Sequence, residues 1–255
     1  PGAASEQRGR EPFVEVPWDE ALDIVAAELA RVRDEYGNTA IFGGSYGWAS
    51  AGRFHHAQSQ VHRFLNTVGG YVRHMDSYSL AAGRVIIDHV AGNIFALQDA
   101  HTTWDVIADE TELFVAFGGV PHKNTQISSG GAADHRVRGG LAGLAAAGVE
   151  VVNIGPVRDN LETGGAVDWI PLRPNTDTAM MLALCEVLHS EGLADRDFLA
   201  RYAVGADRFA AYLDGQADGV RKTPEWAEAI TGVPAETTRA LARKMAARRT
   251  MVNVT

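Results

Sequence analysis

The residues best equipped for chemistry stand between Gly43 and His89, in two segments that each feed a helical pattern. The first is Gly43-Gly44-Ser45-Tyr46-Gly47-Trp48, where Tyr46 and Trp48 project from a backbone kept thin by Gly43, Gly44, Gly47 and Gly52. Glycine lets a backbone take positive φ and come close to a ligand. The second is Ser77-Tyr78-Ser79, just ahead of an apolar-periodic run from Leu80 to Val90. Chain ends rich in Gly, Ser and aromatic residues that lead into helices suit a large anionic or phosphorylated ligand. Plainer roles fit the same residues. Tyr46 and Trp48 can pack a turn at a strand end, and Ser79 can cap the helix that follows it. His55 and His62 share one face of the intervening helical pattern without the i,i+4 spacing or third ligand that zinc would want, which reads as a polar, partly buried face.

The elements that must position these residues follow from periodicity. Trp18, Leu22, Val25, Leu29, Val32 and Tyr36 mark an amphipathic helix, with Asp19 and Glu20 at its positive end and Gly37-Asn38 as its stop. Thr39 to Phe42 predicts a first strand, and Phe54, Gln58, Val61, Leu65 and Val68 predict a helix. From Gly92 to Asp109 the pattern is irregular, with Trp104 as a local anchor. Beyond it the rhythm is regular: a strand at Leu113–Phe117, a helix ending near Ala147-Gly148, strands at Val149–Ile154 and Val167–Pro171, and a helix over Thr178–His189. Helices at Asp195–Tyr202, Pro224–Ile230 and Ala235–Ala247 and a strand from Thr250 complete the pattern. Strands alternating with helices predict an α/β fold, a parallel sheet with helices on both faces.

Ligands of such sheets bind at the carboxyl ends of the strands. Three loops therefore become candidates together: Gly118–Asn124, Asn153–Arg158 and Arg173–Asp177, each with a Gly or Pro turn and polar side chains. Lys123, Asn153 and Asp177 also have plain readings as loop residues or caps. Gly139-Gly140-Leu141-Ala142-Gly143 is too helical in context to serve as a dinucleotide fingerprint.

Composition narrows the classes. The chain has 255 residues, 46% hydrophobic and 22% charged, which describes ordinary globular protein. A net charge of −9 speaks against a general nucleic-acid binder, and no run is apolar enough to span a bilayer. The single cysteine, Cys185, lies in an apolar helical stretch and reads as a small buried hydrophobe. The chain starts without Met and stops inside a strand pattern, and we expect it to be a piece of a longer protein.

Several of these motifs, in order, resemble one family. Gly43 to Gln58, Arg63-Phe64-Leu65-Asn66, Gly69-Gly70, Ser77 to Ala82, Asp88 to Gly92, Pro121-His122-Lys123-Asn124, Val152 to Arg158, Arg173 to Asp177 and Lys222 to Trp226 closely resemble the S- and N-oxide reductases of the molybdopterin oxidoreductase superfamily. The resemblance runs from about Pro12 onward. These are the dimethyl-sulfoxide, trimethylamine-N-oxide and biotin/methionine-sulfoxide reductases, and Arg53-Phe54-His55-His56 looks nearest the last branch.

The resemblance implies molybdenum held by two molybdopterin guanine dinucleotides and one protein oxygen, which falls at Ser79. A hard alkoxide donor suits a high-valent oxo-metal. Tyr46 and Trp48 match the aromatic pair beside the metal-oxo group, where a phenol can donate a hydrogen bond. His122, Lys123, Asn124, Asn153, Pro156, Arg158, Thr176 and Asp177 match positions that bind one dinucleotide, Asp177 as an acceptor for guanine N–H groups. The expected reaction is oxygen-atom transfer from a small S-oxide or N-oxide, with electrons from an unidentified donor. The resemblance further implies that residues 1–110 form the metal-ligand region and residues 111–255 a dinucleotide-binding region of a larger multidomain enzyme, which we expect to be inactive as this piece alone. It leaves the compartment open between periplasm and cytoplasm. Two other classes remain in view: a non-catalytic binding or assembly protein on the same scaffold, and an unrelated nucleotide-binding α/β protein.

Overall fold

A computed structural model of the chain describes residues 9–10, 12–45, 54–75, 80–126 and 135–254. Tyr46, Trp48 and Ser79, and the neighbouring Asp76, Ser77 and Tyr78, lie outside the described residues. The described residues divide into two compact units, one up to Gly92 and one from Asn93 onward.

In the first unit, α1 (Trp18–Tyr36) carries Asp19 and Glu20 in its first turn and stops at Gly37, whose φ is 79°. Arg31 pairs with Glu28 and Glu35 at 2.6 and 2.7 Å, one turn away on either side. None of its residues is buried, and the apolar stripe through Trp18, Leu22 and Val25 is exposed. The strand expected at Thr39–Phe42 is not formed. A 3-10 turn takes Asn38–Ala40, and only Phe42 pairs, in parallel, with Val72. The cause is Asn38, whose side-chain amide donates to Gly70 O at 2.7 Å and Val68 O at 3.3 Å while its carbonyl accepts from Ile41 N. Asn in this role offers the backbone a turn in place of a ladder. Next come α2 (Ala57–Thr67) and α3 (Ala81–Val90), as the periodicity predicts. His56 caps α2 by accepting from Ser59 N at 3.2 Å. His55 precedes the helix, so it does not share a helical face with His62.

The second unit opens with α4 (Ile94–Asp99) and α5 (Trp104–Glu110), where an irregular stretch was expected. Both are too short for a full hydrophobic period to register. The stronger signal was Asn93, whose Oδ1 accepts from Phe95 N and Ala96 N to start α4. The sheet then forms from β1 (Leu113–Phe117), β2 (Glu150–Ile154), β3 (Asp168–Ile170) and β4 (Thr250–Val254), all parallel and in the order β3-β2-β1-β4. Between β1 and β2 runs α6 (Arg136–Ala146). Between β3 and β4 run α7 (Asp177–Ser190), α8 (Arg196–Tyr202), α9 (Ala206–Leu213), α10 (Pro224–Thr231) and α11 (Ala235–Ala247). The periodicity left α9 unassigned. It is two turns long and enters through Gly205 in the left-handed region.

Both faces of β1 are covered, which is why Leu113–Phe117 reads as an unbroken apolar run. Leu113, Val115, Phe117, Val152 and Ile154 pack with Met180, Leu184, Val187 and Leu241 from α7 and α11. Phe114, Ala116 and Val151 pack with Ile107, Leu141 and Leu144 from α5 and α6. Trp104 anchors this second layer, its ring 6.5 Å from that of Phe114. A Cβ on Gly140 would fall 2.1 Å from the Trp104 ring, so this glycine serves helix packing, not a phosphate turn. Lys222 is buried between Tyr212 and Trp226, and its ammonium donates to both oxygens of Asp218 and to Val220 O. That charge is fully paired and ties down the connection between α9 and α10.

Cys185 sits half-buried on α7, and burial pushes its thiol pKa up. Little thiolate exists near neutral pH, and the thiolate is the reactive form. Alkylation by iodoacetamide at pH 7.5 should therefore be slow in the folded protein and become fast in denaturant, as mass spectrometry over time will show.

Candidate functional site

The strand order reverses at β1, which has β2 on one side and β4 on the other. The connection from β1 to β2 covers one face of the sheet through α6, and helices between β3 and β4 cover the opposite face. Such a reversal opens a crevice beyond the carboxyl ends of the strands. The three candidate loops leave from that end, after β1, β2 and β3 respectively.

The loop after β1 turns on Gly118 and Gly119, with φ of 85° and 78°. A Cβ on Gly119 would stand 2.6 Å from Asn160 O, so only glycine lets Val120 N reach that carbonyl, at 2.8 Å. His122, Lys123 and Asn124 then form an exposed 3-10 turn closed by Asn124 N on Pro121 O.

The loop after β2 is folded back over its own strand by Asn153. This side chain is wholly buried, in register with Ala116 on β1 and Trp169 on β3. Its Nδ2 donates to Arg158 O at 2.9 Å and Val157 O at 3.3 Å. Trp169 adds a second tie, donating from Nε1 to Gly155 O at 2.9 Å. Pro156 and Arg158 are left exposed at the tip. The loop after β3 is held from the other side. Arg173 donates to Ala229 O and Ile230 O of α10, and Thr176 Oγ1 donates to Arg173 O at 2.6 Å. Asn175 takes the left-handed conformation with φ of 64°, and Asp177 begins α7.

The first two loops meet. Gly118 N donates to Ile154 O at 2.9 Å, and an open cleft of about 390 Å³ lies between them. Pro121, His122 and Lys123 form one wall, Asp159 and Glu162 the other, and Arg138 of α6 reaches in. Arg158 faces a neighbouring cleft of about 370 Å³ with Trp169. Thus His122 and Lys123 come together with the β2 loop, whereas Arg158 turns to its far side and Thr176 and Asp177 stand one strand further out. Arg138 was not singled out from the sequence. A signal existed: Arg136 and Arg138 sit in the first turn of α6, at the end where the helix dipole disfavours cations.

One buried atom of this region is unpaired: Asn153 Oδ1 has no hydrogen-bond partner among the described residues. Turning the amide over would set its oxygen against two carbonyls, so the orientation is determined by the network. A buried acceptor left unpaired costs about 1–3 kcal/mol. A donor group of a bound molecule, arriving at the strand end, would satisfy it. In the cleft between the first two loops, Lys123, His122 and Arg138 supply hydrogen-bond donors.

In the first unit, the Phe42–Val72 bridge sends two chain segments off side by side in the same direction. One leads through Gly43, Gly44 and Ser45 toward Tyr46 and Trp48, the other through Arg73, His74 and Met75 toward Ser79.

Fold and site together describe a parallel α/β layer whose first two loops enclose a cleft at the carboxyl ends of the strands. Comparison with known proteins gives the class: a family model for molybdopterin oxidoreductases matches residues 7–252, and the chain belongs to that family. Over 247 residues the chain is 46% identical to the biotin sulfoxide reductase of Cereibacter sphaeroides, covering 97% of this chain and 33% of that one. It is 44% identical over 245 residues to the dimethyl sulfoxide/trimethylamine N-oxide reductase of the same organism, covering 96% and 30%. It is 39% identical over 245 residues to the trimethylamine-N-oxide reductase of Haemophilus influenzae, again covering 96% and 30%. The chain therefore spans about a third of the length of these relatives. Among solved structures, acetylene hydratase from Pelobacter acetylenicus superposes with a TM-score of 0.59 at 19% identity, over 94% of this chain and 29% of that one. That likeness concerns the fold alone.

The anchoring role of Asn153 is open to measurement. Asn153→Ala removes two loop-closing hydrogen bonds and should lower stability by about 1–2 kcal/mol in urea unfolding. Asn153→Asp should cost more at neutral pH, because its carboxylate would face the carbonyls of Val157 and Arg158.

Proposed function

We propose that the intact protein is a molybdenum-dependent reductase of small S-oxides or N-oxides, and that this chain holds its metal ligand and most of one dinucleotide platform. The observation that carries the reading is the identity of 39 to 46% to reductases of both substrate kinds across nearly the whole chain. Bound to its bis(molybdopterin guanine dinucleotide) cofactor, molybdenum supplies two-electron oxygen-atom transfer: the sulfoxide or N-oxide loses its oxygen, and two electrons from a separate donor and two protons release that oxygen as water.

The roles of the chain's residues are those that the resemblance to these reductases implies, and each suits the chemistry of its side chain. Ser79 is the protein oxygen ligand of the metal, a hard donor matched to a high oxidation state. Tyr46 donates a hydrogen bond to the oxygen being transferred, and Trp48 walls the reacting centre from water. Lys123 and Arg158 supply positive charge and His122 a hydrogen-bonding ring nitrogen to the phosphates of one guanine dinucleotide, and Asn124, Pro156 and Thr176 shape its seat. Asn153 Oδ1 accepts a hydrogen bond from it. Asp177 accepts paired N–H donors from guanine, a geometry that a carboxylate meets with both oxygens. The orphaned Asn153 acceptor supports such a seat, because it needs a donor from outside the chain.

The test is elemental analysis of the intact protein, purified from a host that makes the guanine-dinucleotide cofactor. About one molybdenum per chain is expected, with guanine nucleotide released on denaturation. Ser79→Ala should abolish sulfoxide and N-oxide reduction and change the molybdenum spectrum. No molybdenum from a competent host, or full activity in Ser79→Ala, would overturn the reading and leave a binding scaffold.

A further inference from the structure

The two stems that leave the Phe42–Val72 bridge are joined by very little backbone. Val72 N donates to Ile41 O at 2.8 Å and Gly43 N to Val72 O at 3.0 Å, and the pairing is an isolated bridge. A ladder this short specifies register weakly. Yet the residues assigned to the reacting centre are split between the two stems, Tyr46 and Trp48 beyond one and Ser79 beyond the other. Something besides the ladder must set how far one stem runs past its neighbour.

The contacts that can do so converge on Tyr71, one residue before the bridge. Its hydroxyl shares a hydrogen bond with His62 Nδ1, and the two rings stack with centroids 5.5 Å apart and planes 24° from parallel. On the side of the other stem, a Cβ on Gly43 would lie 3.4 Å from Tyr71 Cδ2 and only 2.0 Å from Leu65 Cδ1. Tyr71 is thus held between the imidazole of α2 and the backbone of Gly43. His62 and Leu65 are three residues apart, on one face of the helix. Leu65 is the buried residue of α2, so this face is also the one that packs. Asn38 fixes the approach to Tyr71 by holding Gly70 O. On the next step along the stems, a Cβ on Gly44 would meet His74 Nδ1 at 2.8 Å. Glycine at both positions leaves room for Leu65 of α2 beside the first stem and for the His74 ring beside the second.

We propose that His62 and Tyr71 form a positioning pair that sets the register of the two stems, and that turnover of the intact protein depends on this register. This rests on the molybdenum reading for its functional consequence, and on the stems alone for its structural one. Neither residue touches substrate in this account; both act through the backbone of Gly43 and Val72.

Two readouts separate those layers. The first needs no metal: nitroxides at Ser45→Cys and Met75→Cys, in a Cys185→Ser background of the intact protein, report the separation of the stems by dipolar broadening. Tyr71→Phe and His62→Leu should broaden that distance distribution. His62→Gln, whose amide can take up the phenol hydrogen bond, should restore it. The second readout compares molybdenum-loaded proteins at matched metal content. Tyr71→Phe should alter the molybdenum(V) resonance and lower kcat about ten- to a hundredfold with little change in KM, the signature of misplacement. An unchanged distance distribution in both Tyr71→Phe and His62→Leu overturns the proposal. So does activity that falls only in proportion to lost metal or lost thermal stability, which is a purely structural effect. Wild-type protein without molybdenum would overturn the functional reading, while the nitroxide distances would still decide the positioning pair.

Discussion

Burial of β1 on both faces is the constraint from which the second unit follows. All five residues from Leu113 to Phe117 are buried, and the strand has parallel neighbours on both sides. A strand in that position exposes no edge and no face to water, so its backbone must be fully paired and both its side-chain rows must be covered. Each fully buried Leu, Val or Phe contributes about 1.5–3 kcal/mol. Collecting that energy requires α5 and α6 on one side and α7 and α11 on the other. Covering one face before β2 and the opposite face before β4 is what makes the strand order reverse at β1. The crevice at the strand ends is therefore a by-product of hiding this strand.

The strand ends show what that architecture leaves to side chains. Parallel strands stop without tight hairpins, and the loops beyond them carry unpaired carbonyls. Here Asn153 and Trp169 take up carbonyls of the β2 loop, and Arg173 ties the β3 loop to two carbonyls of α10. Asn153 does so from inside the core, with its other polar atom unsatisfied. A protein does not keep a buried orphan acceptor at no cost, and a site where a ligand supplies the donor is a physical reason to keep it. The same loops leave Lys123 and Arg158 at the exposed tips, on the two sides of the β2 turn.

The first unit is built on the opposite principle. Among its described residues it has one isolated bridge where the second unit has a sheet, and α1 buries none of its residues. Its order comes from local devices: the Asn38 amide on the turn at Val68 and Gly70, the His56 cap, and the His62–Tyr71 pair. Among the described residues no helix is long and apolar enough to cross a membrane.

The amino-acid sequence by itself determined the parallel sheet, because a strand buried on both faces must be apolar without interruption, as β1 is, and strands alternate with helices from there on. It determined α7, α10 and α11 to within a residue, and the end of α6, through periodic apolar faces and stops such as Gly148. Family membership was legible in motifs spread from Gly43 to Trp226, since spacing of this length survives as a pattern of residues without coordinates. Tertiary structure decided the rest. Thr39–Phe42 has the composition of a strand, but Asn38 reaches across 32 residues to Gly70 and wins that segment for a turn. Neither α4 nor α5 shows a period, and α5 is fixed by Trp104 packing on Phe114 and Gly140. Arg138 joins the cleft only because α6 crosses back over the β1 loop. Pairings such as His62 with Tyr71, or Asn153 with the carbonyls beyond it, depend on which surfaces meet when helix and strand close on each other. That is a property of distance in space, and spacing along the chain does not carry it.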